Sequence, residues 1–204
     1  MSQKHLSRTL SKLAGFKNPK INLEQYATPS DVAAELLWYL DMRGFIKNKK
    51  ILDLGAGTGI LGIGALLLGA QKVFFLEKDF DALNVLKENI SFMDKEYVLP
   101  DYEIINKDVS FIDEEFDLVI MNPPFGTKTK RIDSVFLEKA FQISSIILSI
   151  HKTSTKDYVK NKFLENNFEL LEVFDFNFAL KKTFDHHKES VKNIEISGFV
   201  AKRR

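Results

Sequence analysis

Lys50-Ile-Leu-Asp-Leu-Gly-Ala-Gly-Thr-Gly59 decides the fold of this 204-residue chain. The apolar run Lys50–Leu54 predicts a buried strand, and the apolar run after the glycines predicts a helix over Gly59–Leu68 that ends at Gly69. The glycines between them allow a tight turn and a close approach of a ligand to the backbone. A strand, a glycine-rich turn and a helix in that order predict the first βα unit of a parallel sheet.

The alternation of strand and helix continues on the carboxyl side of this unit. Predicted strands are Lys50–Leu54, Lys72–Glu77, Tyr102–Asn106, Phe116–Met121, Ile146–His151, Phe168–Phe176 and Lys192–Ala201. Predicted helices are Gly59–Leu68, Phe80–Phe92 (capped by Asp79), Phe136–Ser145 and Thr155–Asn166. Successive βα units predict an α/β fold with a doubly wound, mainly parallel seven-stranded sheet. The last two strands have no helix between them, so they predict a hairpin and one antiparallel strand at the sheet edge.

The amino-terminal part predicts a helical extension over residues 1–45, followed by the α/β domain over residues 46–204. Three leucines at helical spacing predict a short first helix. A second helix is predicted over Ala27–Met42, with Thr28 as its N-cap.

The composition predicts a soluble, cytoplasmic protein with a sizeable core. Hydrophobic residues make up 45% of the chain, and the net charge is +1. No cysteine is present, which leaves no disulfide and no cysteine metal site, and no apolar run approaches the roughly 20 residues of a membrane span. Basic residues concentrate near both ends and at Lys128, Lys130 and Arg131. This distribution suits a phosphate backbone, and it is equally typical of ordinary solvated lysines.

Asp53 and the glycines after it predict a ligand loop at the carboxyl end of the first strand. Gly57-Thr-Gly-Ile-Leu-Gly62 matches the dinucleotide fingerprint, and Glu77 follows about 20 residues later, so a nicotinamide dehydrogenase is one interpretation. A carboxylate before the glycines suits a cationic ligand better than a pyrophosphate. A cofactor without a pyrophosphate is therefore favoured.

Two further acids follow predicted strands. Glu77 ends the second strand, where a carboxylate can accept both hydroxyls of a ribose, or can instead favour the start of the next helix through its dipole. Asp108 follows the third strand, where it can meet the amino group of an adenine or serve as a solvated turn residue.

Asn122-Pro-Pro-Phe125 ends the predicted strand Phe116–Met121 in a stiff corner. Proline cannot donate to a sheet and fixes its own φ, and Pro123 holds the preceding asparagine in an extended conformation. The corner can present the Asn122 side-chain oxygen and a proline carbonyl as two acceptors beside the Phe125 ring. This arrangement suits a planar amino group on a ring; a turn with a buried phenylalanine is the plainer interpretation.

Together these motifs resemble a class I S-adenosylmethionine-dependent methyltransferase of the kind that methylates amino groups. The matching motifs are Asp53–Gly59, Glu77, Asp108-Val109 and Asn122–Phe125. Three further segments resemble the archaeal and eukaryotic small-subunit ribosomal RNA adenine methyltransferases: Gly15-Phe-Lys-Asn-Pro-Lys20, Leu23-Glu-Gln-Tyr-Ala-Thr28 and Ser149-Ile-His-Lys152. That resemblance implies S-adenosyl-L-methionine as cofactor, N6-methyladenosine as product and a heterodimer with a small zinc-binding activator protein.

The resemblance also implies a role for each matching residue. It implies that Asp53 is a cofactor residue and that Gln25, Tyr26 and Thr28 close over the cofactor. Its methionine and ribose part would be lined by Gly55, Gly57, Thr58 and Ile60. Glu77 would hold the ribose hydroxyls, and Asp108 and Val109 would bind the adenine. The catalytic corner it implies is Asn122, Pro123, Pro124 and Phe125. Asn122 and the Pro123 carbonyl would accept the hydrogens of the target amino group, while Phe125 stacks on the base.

Other interpretations stay open on the sequence alone. A protein-glutamine methyltransferase would use the same corner, because a glutamine amide also presents a planar amino group. A non-catalytic binding module with this fold is another. The loop 181–190 contains Phe184-Asp-His-His-Lys188, which resembles an aromatic–His–Lys loop of the family. Its adjacent histidines are typical of a solvated loop rather than a metal site, and no metal is expected.

Overall fold

Helices and strands alternate along the chain as the sequence predicts. This computed structural model describes residues 1–125, 132–180 and 192–204. The strands are β1 (Lys50–Leu54), β2 (Lys72–Leu76), β3 (Asp101–Ile105), β4 (Leu118–Met121), β5 (Ile146–Lys152), β6 (Phe168–Leu180) and β7 (Lys192–Arg203). The helices are α1 (Gln3–Leu10), α2 (Ser30–Met42), α3 (Ile60–Leu67), α4 (Phe80–Asp94), α5 (Ile132–Ile143) and α6 (Lys156–Glu165).

The described strands form one seven-stranded sheet in the order β3-β2-β1-β4-β5-β7-β6. Strands β1 to β5 pair in parallel. The chain builds β1, β2 and β3 outward in one direction and then returns to place β4 on the other side of β1. This reversal is the switch point of the sheet, where open α/β folds bind ligands beyond the carboxyl ends of their strands.

Strand β7 supplies the predicted antiparallel pairing at one side of the sheet. It pairs antiparallel with β5 and with β6, so that β6 forms the outer edge. Its stretch Ile196–Ala201 is buried, whereas most of β6 is partly or fully exposed. The α/β fold with a mainly parallel seven-stranded sheet is therefore confirmed, and the more buried strand of the hairpin lies inside.

Each face of the sheet carries its own apolar core. Successive residues of a strand point to opposite faces, so Ile51 lies in one core and Leu52 in the other. Leu6 and Leu37, from α1 and α2, cover the Ile51 face, and Phe163 from α6 covers the Leu52 face. All five side chains are fully buried. Burial of each contributes roughly 1.5–3 kcal/mol, which fixes the helices on both faces of the sheet.

Two glycines let α3 approach its neighbours closely. A Cβ on Gly62 would lie 2.2 Å from the ring of Phe75, and one on Gly64 would lie 2.3 Å from Leu37. Even alanine at Gly62 would force the helix away from β2, and with it the glycine loop that precedes the helix.

The start of α2 differs from the prediction. The helix begins at Ser30 with Pro29 as its N-cap, and no side chain caps it. The prediction that Thr28 is the N-cap is therefore wrong. The Thr28 hydroxyl instead accepts a hydrogen bond from Asn122. The capping rule assigns this hydroxyl to the start of the helix, but it bonds to a residue 94 positions away in the sequence.

Some features named from the sequence lie outside the described residues. They are the basic residues Lys128, Lys130 and Arg131 and the loop 181–190. In the part of the chain that the structure describes, no helix has the length and apolar character needed to cross a membrane. The same residues contain no cluster of three or more His, Asp or Glu side chains suited to a metal ion.

Candidate active site

A cleft of about 890 Å³, measured with its open mouth, lies at the switch point of the sheet. The loops after β1, β2, β3 and β4 form its floor, and the segment between α1 and α2 forms its roof. Every residue predicted for the cofactor lines this cleft: Gln25, Tyr26, Thr28, Asp53, Gly55, Gly57, Thr58, Ile60, Glu77, Asp108 and Val109. Asn122 and Pro124 line it as well. Pro123 is buried, and Phe125 lies beside the cleft against Tyr26.

The glycine loop after β1 is shaped so that its backbone faces the cleft. Gly55 and Gly57 have φ of 76° and 55°, values that favour glycine. A Cβ on Gly55 would lie 2.8 Å from Phe136, and one on Gly57 would lie 2.9 Å from Phe16. The two aromatic rings therefore pack against the loop, and they line the cleft together with its main chain.

Sequence reasoning did not single out Phe16 or Phe136 as site residues. Phe16 belongs to the 15–28 segment that carried the family resemblance, so it had a signal. Phe136 had none, since its place in the cleft depends on how α5 packs over the loop.

Two carboxylates lie under the glycine loop, one buried (Asp53) and one partly buried (Glu77). Asp53 is 1% exposed, and its Oδ2 accepts a hydrogen bond of 2.8 Å from the Gly62 backbone N–H. Burial raises the pKa of Asp53 to about 7, and the nearby charge of Glu77 adds to the rise. Glu77 accepts hydrogen bonds from the N–H groups of Gly57 (2.9 Å) and Asp79 (2.8 Å), yet burial still raises its pKa. A positive ligand next to these two acids would favour their ionised forms.

Asp108 serves as a turn residue, one of the two roles that the sequence left open, and it also lines the cleft. Its Oδ1 accepts hydrogen bonds from the backbone N–H and the hydroxyl of Ser110, at 3.2 and 3.1 Å, so it caps the turn Val109–Phe111. It also lines the cleft, with its other oxygen 3.7 Å from the Lys78 ammonium. The turn holds the carboxylate at the edge of the cleft without using all of its lone pairs.

The Asn122 carboxamide is held from both ends by the roof of the cleft. Its Oδ1 accepts a hydrogen bond of 2.6 Å from the Tyr26 hydroxyl. Its Nδ2 donates one of 2.8 Å to the Thr28 hydroxyl. The carboxamide oxygen keeps a second lone pair, so one acceptor position at the end of β4 can still receive a ligand hydrogen.

The ring of Phe125 lies between two side chains that sequence reasoning did not bring together with it. The Tyr26 ring is 4.9 Å away between centroids, with the planes tilted by 37°. The Lys152 ammonium is 5.4 Å from the Phe125 centroid, a distance typical of a cation–π contact. Lys152 ends β5, the strand next to β4. The rule that places ligands at the carboxyl ends of strands would have found it.

A clasp made by Lys20, Gln25 and Asp79 fastens the roof to the start of α4. The Lys20 ammonium pairs with Asp79 and lies 2.7 Å from Asp81, while Gln25 Nε2 donates to the other oxygen of Asp79 at 2.6 Å. The Gln25 carbonyl oxygen accepts from the Lys20 backbone N–H at 2.8 Å. Burial alone would raise the pKa of Asp79, but the hydrogen bonds from Lys20 and Gln25 outweigh it, and the pKa is lowered.

Sequence comparison with known proteins identifies the family of this chain. The family described as conserved hypothetical protein 95 matches residues 28–171. An rRNA N(6)-adenosine-methyltransferase of Danio rerio is 35% identical over 203 residues, which is 96% of this chain and 96% of that protein. The chain belongs to this methyltransferase family.

Solved structures agree with that assignment. A candidate RNA methyltransferase from Pyrococcus horikoshii is 38% identical and has a TM-score of 0.89, over 100% of the methyltransferase and 98% of that chain. A magnesium protoporphyrin IX methyltransferase from Synechocystis, solved with S-adenosylmethionine bound, is 13% identical and has a TM-score of 0.64 over 84% of this chain and 78% of that chain. The latter likeness concerns the fold alone.

As a member of this methyltransferase family, the chain uses S-adenosyl-L-methionine, and the residues of its cleft fit that cofactor. The cofactor is a sulfonium cation without a pyrophosphate, so the carboxylates of the buried Asp53 and the partly buried Glu77 match its charge. Gly55 and Gly57 line the cleft with main-chain atoms, while the rings of Phe136 and Phe16 occupy the positions that a Cβ would need. Family membership therefore decides against the nicotinamide dehydrogenase that the glycine fingerprint allowed.

Proposed function

We propose that this methyltransferase methylates the exocyclic amino group of an adenine in small-subunit ribosomal RNA, giving N6-methyladenosine. The observation that carries the proposal is the Asn122 carboxamide at the switch point, fixed next to an aromatic ring and a lysine. The rRNA N(6)-adenosine-methyltransferase from Danio rerio, similar over nearly its whole length, supports the same substrate class.

The corner residues would act by holding the target amino group. The amino nitrogen of adenine is a poor nucleophile, because its lone pair is delocalised into the ring. Asn122 Oδ1 and the Pro123 carbonyl accept its two hydrogens, which draws the nitrogen towards tetrahedral geometry. These hydrogen bonds accelerate transfer to the extent that they strengthen in the transition state. When bound, S-adenosylmethionine supplies the methyl group and leaves as a neutral thioether, and the proton lost by the nitrogen passes to water.

The cofactor residues keep the roles that the resemblance implies. Gly55, Gly57, Thr58 and Ile60 line the methionine and ribose part, Glu77 holds the ribose hydroxyls, and Asp108 and Val109 bind the adenine. Gln25 and Thr28 belong to the 1–45 extension that closes over the cofactor. Asp53 lies behind the glycine loop and compensates the positive charge of the ligand.

Lys152 favours a nucleic acid over a glutamine side chain as the substrate. Its ammonium lies beside Phe125, and no described carboxylate forms an ion pair with it. A nucleotide offers a ring for Phe125 and a phosphate for Lys152, whereas a glutamine side chain offers neither. Base–aromatic stacking is worth roughly 1–3 kcal/mol, and the target base must leave its own stack to receive it. A cytoplasmic location, expected from the sequence, fits an enzyme that acts on ribosomal RNA.

We place the small zinc-binding activator on the β3 edge of the sheet. β3 is an outermost strand, and its first three residues are exposed. Tyr102 lies on β3 and Phe111 in the turn that follows it, and their side chains are 44% and 70% exposed. An unpaired strand edge beside exposed aromatic side chains suits β-augmentation by a partner chain. Phe111→Asp should abolish co-purification with the activator, while Leu164→Asp on α6, at a similarly exposed position, should not.

The test of the function is methyl transfer from labelled cofactor. The purified protein, with and without the activator, is incubated with small-subunit ribosomal RNA or with a protein lysate. The RNA is then digested to nucleosides and the protein is hydrolysed. Label in N6-methyladenosine is the expected result.

The control variants make the result specific to the corner. Asn122→Ala should lose the label, whereas Asn161→Ala, the same change on the exposed face of α6, should retain it. Label in glutamine instead of adenine would replace the proposal with the protein-glutamine alternative.

A further inference from the structure

Tyr26 makes both contacts that the proposed target adenine needs. Its hydroxyl donates to Asn122 Oδ1 at 2.6 Å, and its ring lies 4.9 Å from the ring of Phe125. An adenine held by the corner would donate its amino hydrogen to the same oxygen and lay its ring on the same phenylalanine. Tyr26 therefore contacts both groups that would recognise the base, the Asn122 oxygen and the Phe125 ring.

The spacing of the two rings shows what binding must change. A base stacked between Tyr26 and Phe125 needs about 7 Å between them, because each aromatic layer takes about 3.5 Å. The present separation of 4.9 Å leaves no room for it. The rings must part by about 2 Å for a base to enter, and the Tyr26 hydroxyl then has to leave or share the Asn122 oxygen.

The position of Tyr26 in the chain makes it the partner that moves. Phe125 follows Pro123 and Pro124, which fix their own φ directly after a buried strand and so anchor the chain that leads to its ring. Tyr26 lies in the non-helical stretch between the turn Ile21–Leu23 and α2, where no helix or strand hydrogen bonds hold its backbone. Burial raises the pKa of Tyr26 well above its ordinary value, so the hydroxyl stays a donor at neutral pH.

We propose that Tyr26 is a residue of the target-base site: the adenine inserts between Tyr26 and Phe125, and Tyr26 yields the Asn122 oxygen and stacks on the outer face of the base. The inference rests on the proposed adenine substrate and assigns Tyr26 a role other than closing over the cofactor. The short Tyr26–Phe125 contact is then the closed form of a two-ring clamp.

Two variants of Tyr26 separate its ring from its hydroxyl. Tyr26→Leu removes the stacking face, so the KM for RNA should rise about 5- to 150-fold, the range expected for loss of one base–aromatic stack. Tyr26→Phe keeps the ring and removes the competing hydroxyl, so the KM for RNA should be no higher than in the wild type. In both variants the Kd of S-adenosylmethionine, measured by calorimetry, should stay within about threefold.

Tyr39→Leu is the matched control. Tyr39 packs edge-on against Phe174 with centroids 5.1 Å apart, on α2 and outside the cleft. This change removes a tyrosine–phenylalanine pair of similar spacing and should leave the KM for RNA unchanged. Melting temperatures of all variants separate a folding defect from a binding defect.

Several results would overturn the inference. If Tyr26→Leu weakens the cofactor at least tenfold and leaves the KM for RNA unchanged, Tyr26 belongs to the cofactor site. If Tyr26→Leu raises kcat/KM, the residue only obstructs the site. If Tyr26→Leu does not fold, a raised KM in Tyr26→Phe alone refutes the clamp. Wild-type protein that labels no RNA would overturn the proposed function itself, and the clamp with it.

Discussion

Asp53 should make cofactor binding depend on pH between 6 and 8. Burial raises the pKa of this carboxyl to about 7, so before a ligand binds it is a mixture of neutral and ionised forms near neutrality. A cationic cofactor binds the ionised form better. The sign follows directly: affinity for S-adenosylmethionine rises as the pH rises through the pKa of Asp53, because less of the ligand's binding energy is spent on removing the proton.

The size of the effect follows from that pKa. Only about a tenth of the protein is ionised at Asp53 at pH 6, about half at pH 7 and about nine tenths at pH 8. Since the apparent Kd is the intrinsic Kd divided by the competent fraction, it should fall about tenfold from pH 6 to pH 8. A change of this size corresponds to roughly 1.4 kcal/mol.

Asp53→Asn provides the reference. An asparagine oxygen can still accept the hydrogen bond from the Gly62 N–H, so the loop keeps its anchor, but the side chain no longer titrates. Calorimetric Kd values for both proteins at pH 6, 7 and 8 are compared as a ratio. The cofactor's own α-amino group also titrates near pH 7.7–8.0, and the ratio removes that contribution because both proteins share it.

The expected ratio is largest at pH 8, where the variant lacks a charge that the wild type has. A wild-type Kd that follows the Asp53→Asn curve across the whole range would refute the argument. It would mean either that Asp53 is already ionised in the empty cleft or that its charge does not act on the ligand.

Three further outcomes follow from contacts of the site and its support. Asn122→Ala should lower kcat at least about a hundredfold, which is the loss typical of removing one fixed group that hydrogen-bonds the transition state. The cofactor Kd should change by less than tenfold. A kcat near the wild-type value would contradict the role of the corner. Lys20→Met should raise the cofactor Kd several-fold at low salt and little at 0.5 M salt, because it breaks the ion pair with Asp79 that closes the clasp. Lys17→Met is the control, because the ion-pair partner of Lys17 lies outside the cleft. Equal effects of the two variants on the Kd would reject the role of the clasp. His151 is buried, and burial lowers its pKa to about 3. Its contribution to the free energy of unfolding is therefore fully present above pH 6.5 and falls by about 1.4 kcal/mol per pH unit below that, because only the unfolded chain then binds the proton. Urea unfolding at pH 7 and pH 5 should show this loss in the wild type and not in His151→Gln.

Strand and helix order was predictable because apolar runs and glycines are local signals. The seven strands were predicted with small errors at their ends. The floor of the cleft was predictable too, since residues that follow parallel strands converge at one edge of the sheet. Asp53, Glu77, Asp108 and Asn122 meet there because each comes within a few residues of the end of its strand.

The roof of the cleft was less predictable, because its contacts join residues far apart in sequence. The Tyr26–Asn122 hydrogen bond spans 96 residues, and no local pattern contains it. Thr28 shows how such a contact defeats a local rule. A threonine before a proline and a helix predicts an N-cap, but the Asn122 amide offers its hydroxyl a partner, and the helix starts two residues later.

The pairing of β1 with β4 explains why the acceptor corner and the glycine loop face each other. Asp53 is paired with Ile120, so the first loop glycine, Gly55, and the corner asparagine, Asn122, both come two residues beyond the same rung of the ladder. Side chains in a strand alternate between faces, and a slip of one residue in β4 would turn every side chain to the other side. Leu118 and Ile120 lie in one core while Val119 and Met121 lie in the other, so such a slip would exchange two buried apolar faces of similar character. The sheet could tolerate that exchange far better than the site could. The two prolines after Asn122 oppose it, because neither can donate to the ladder if the strand is drawn further into the sheet. The register that aligns the corner with the cofactor loop is thus stabilised by the same residues that shape the corner.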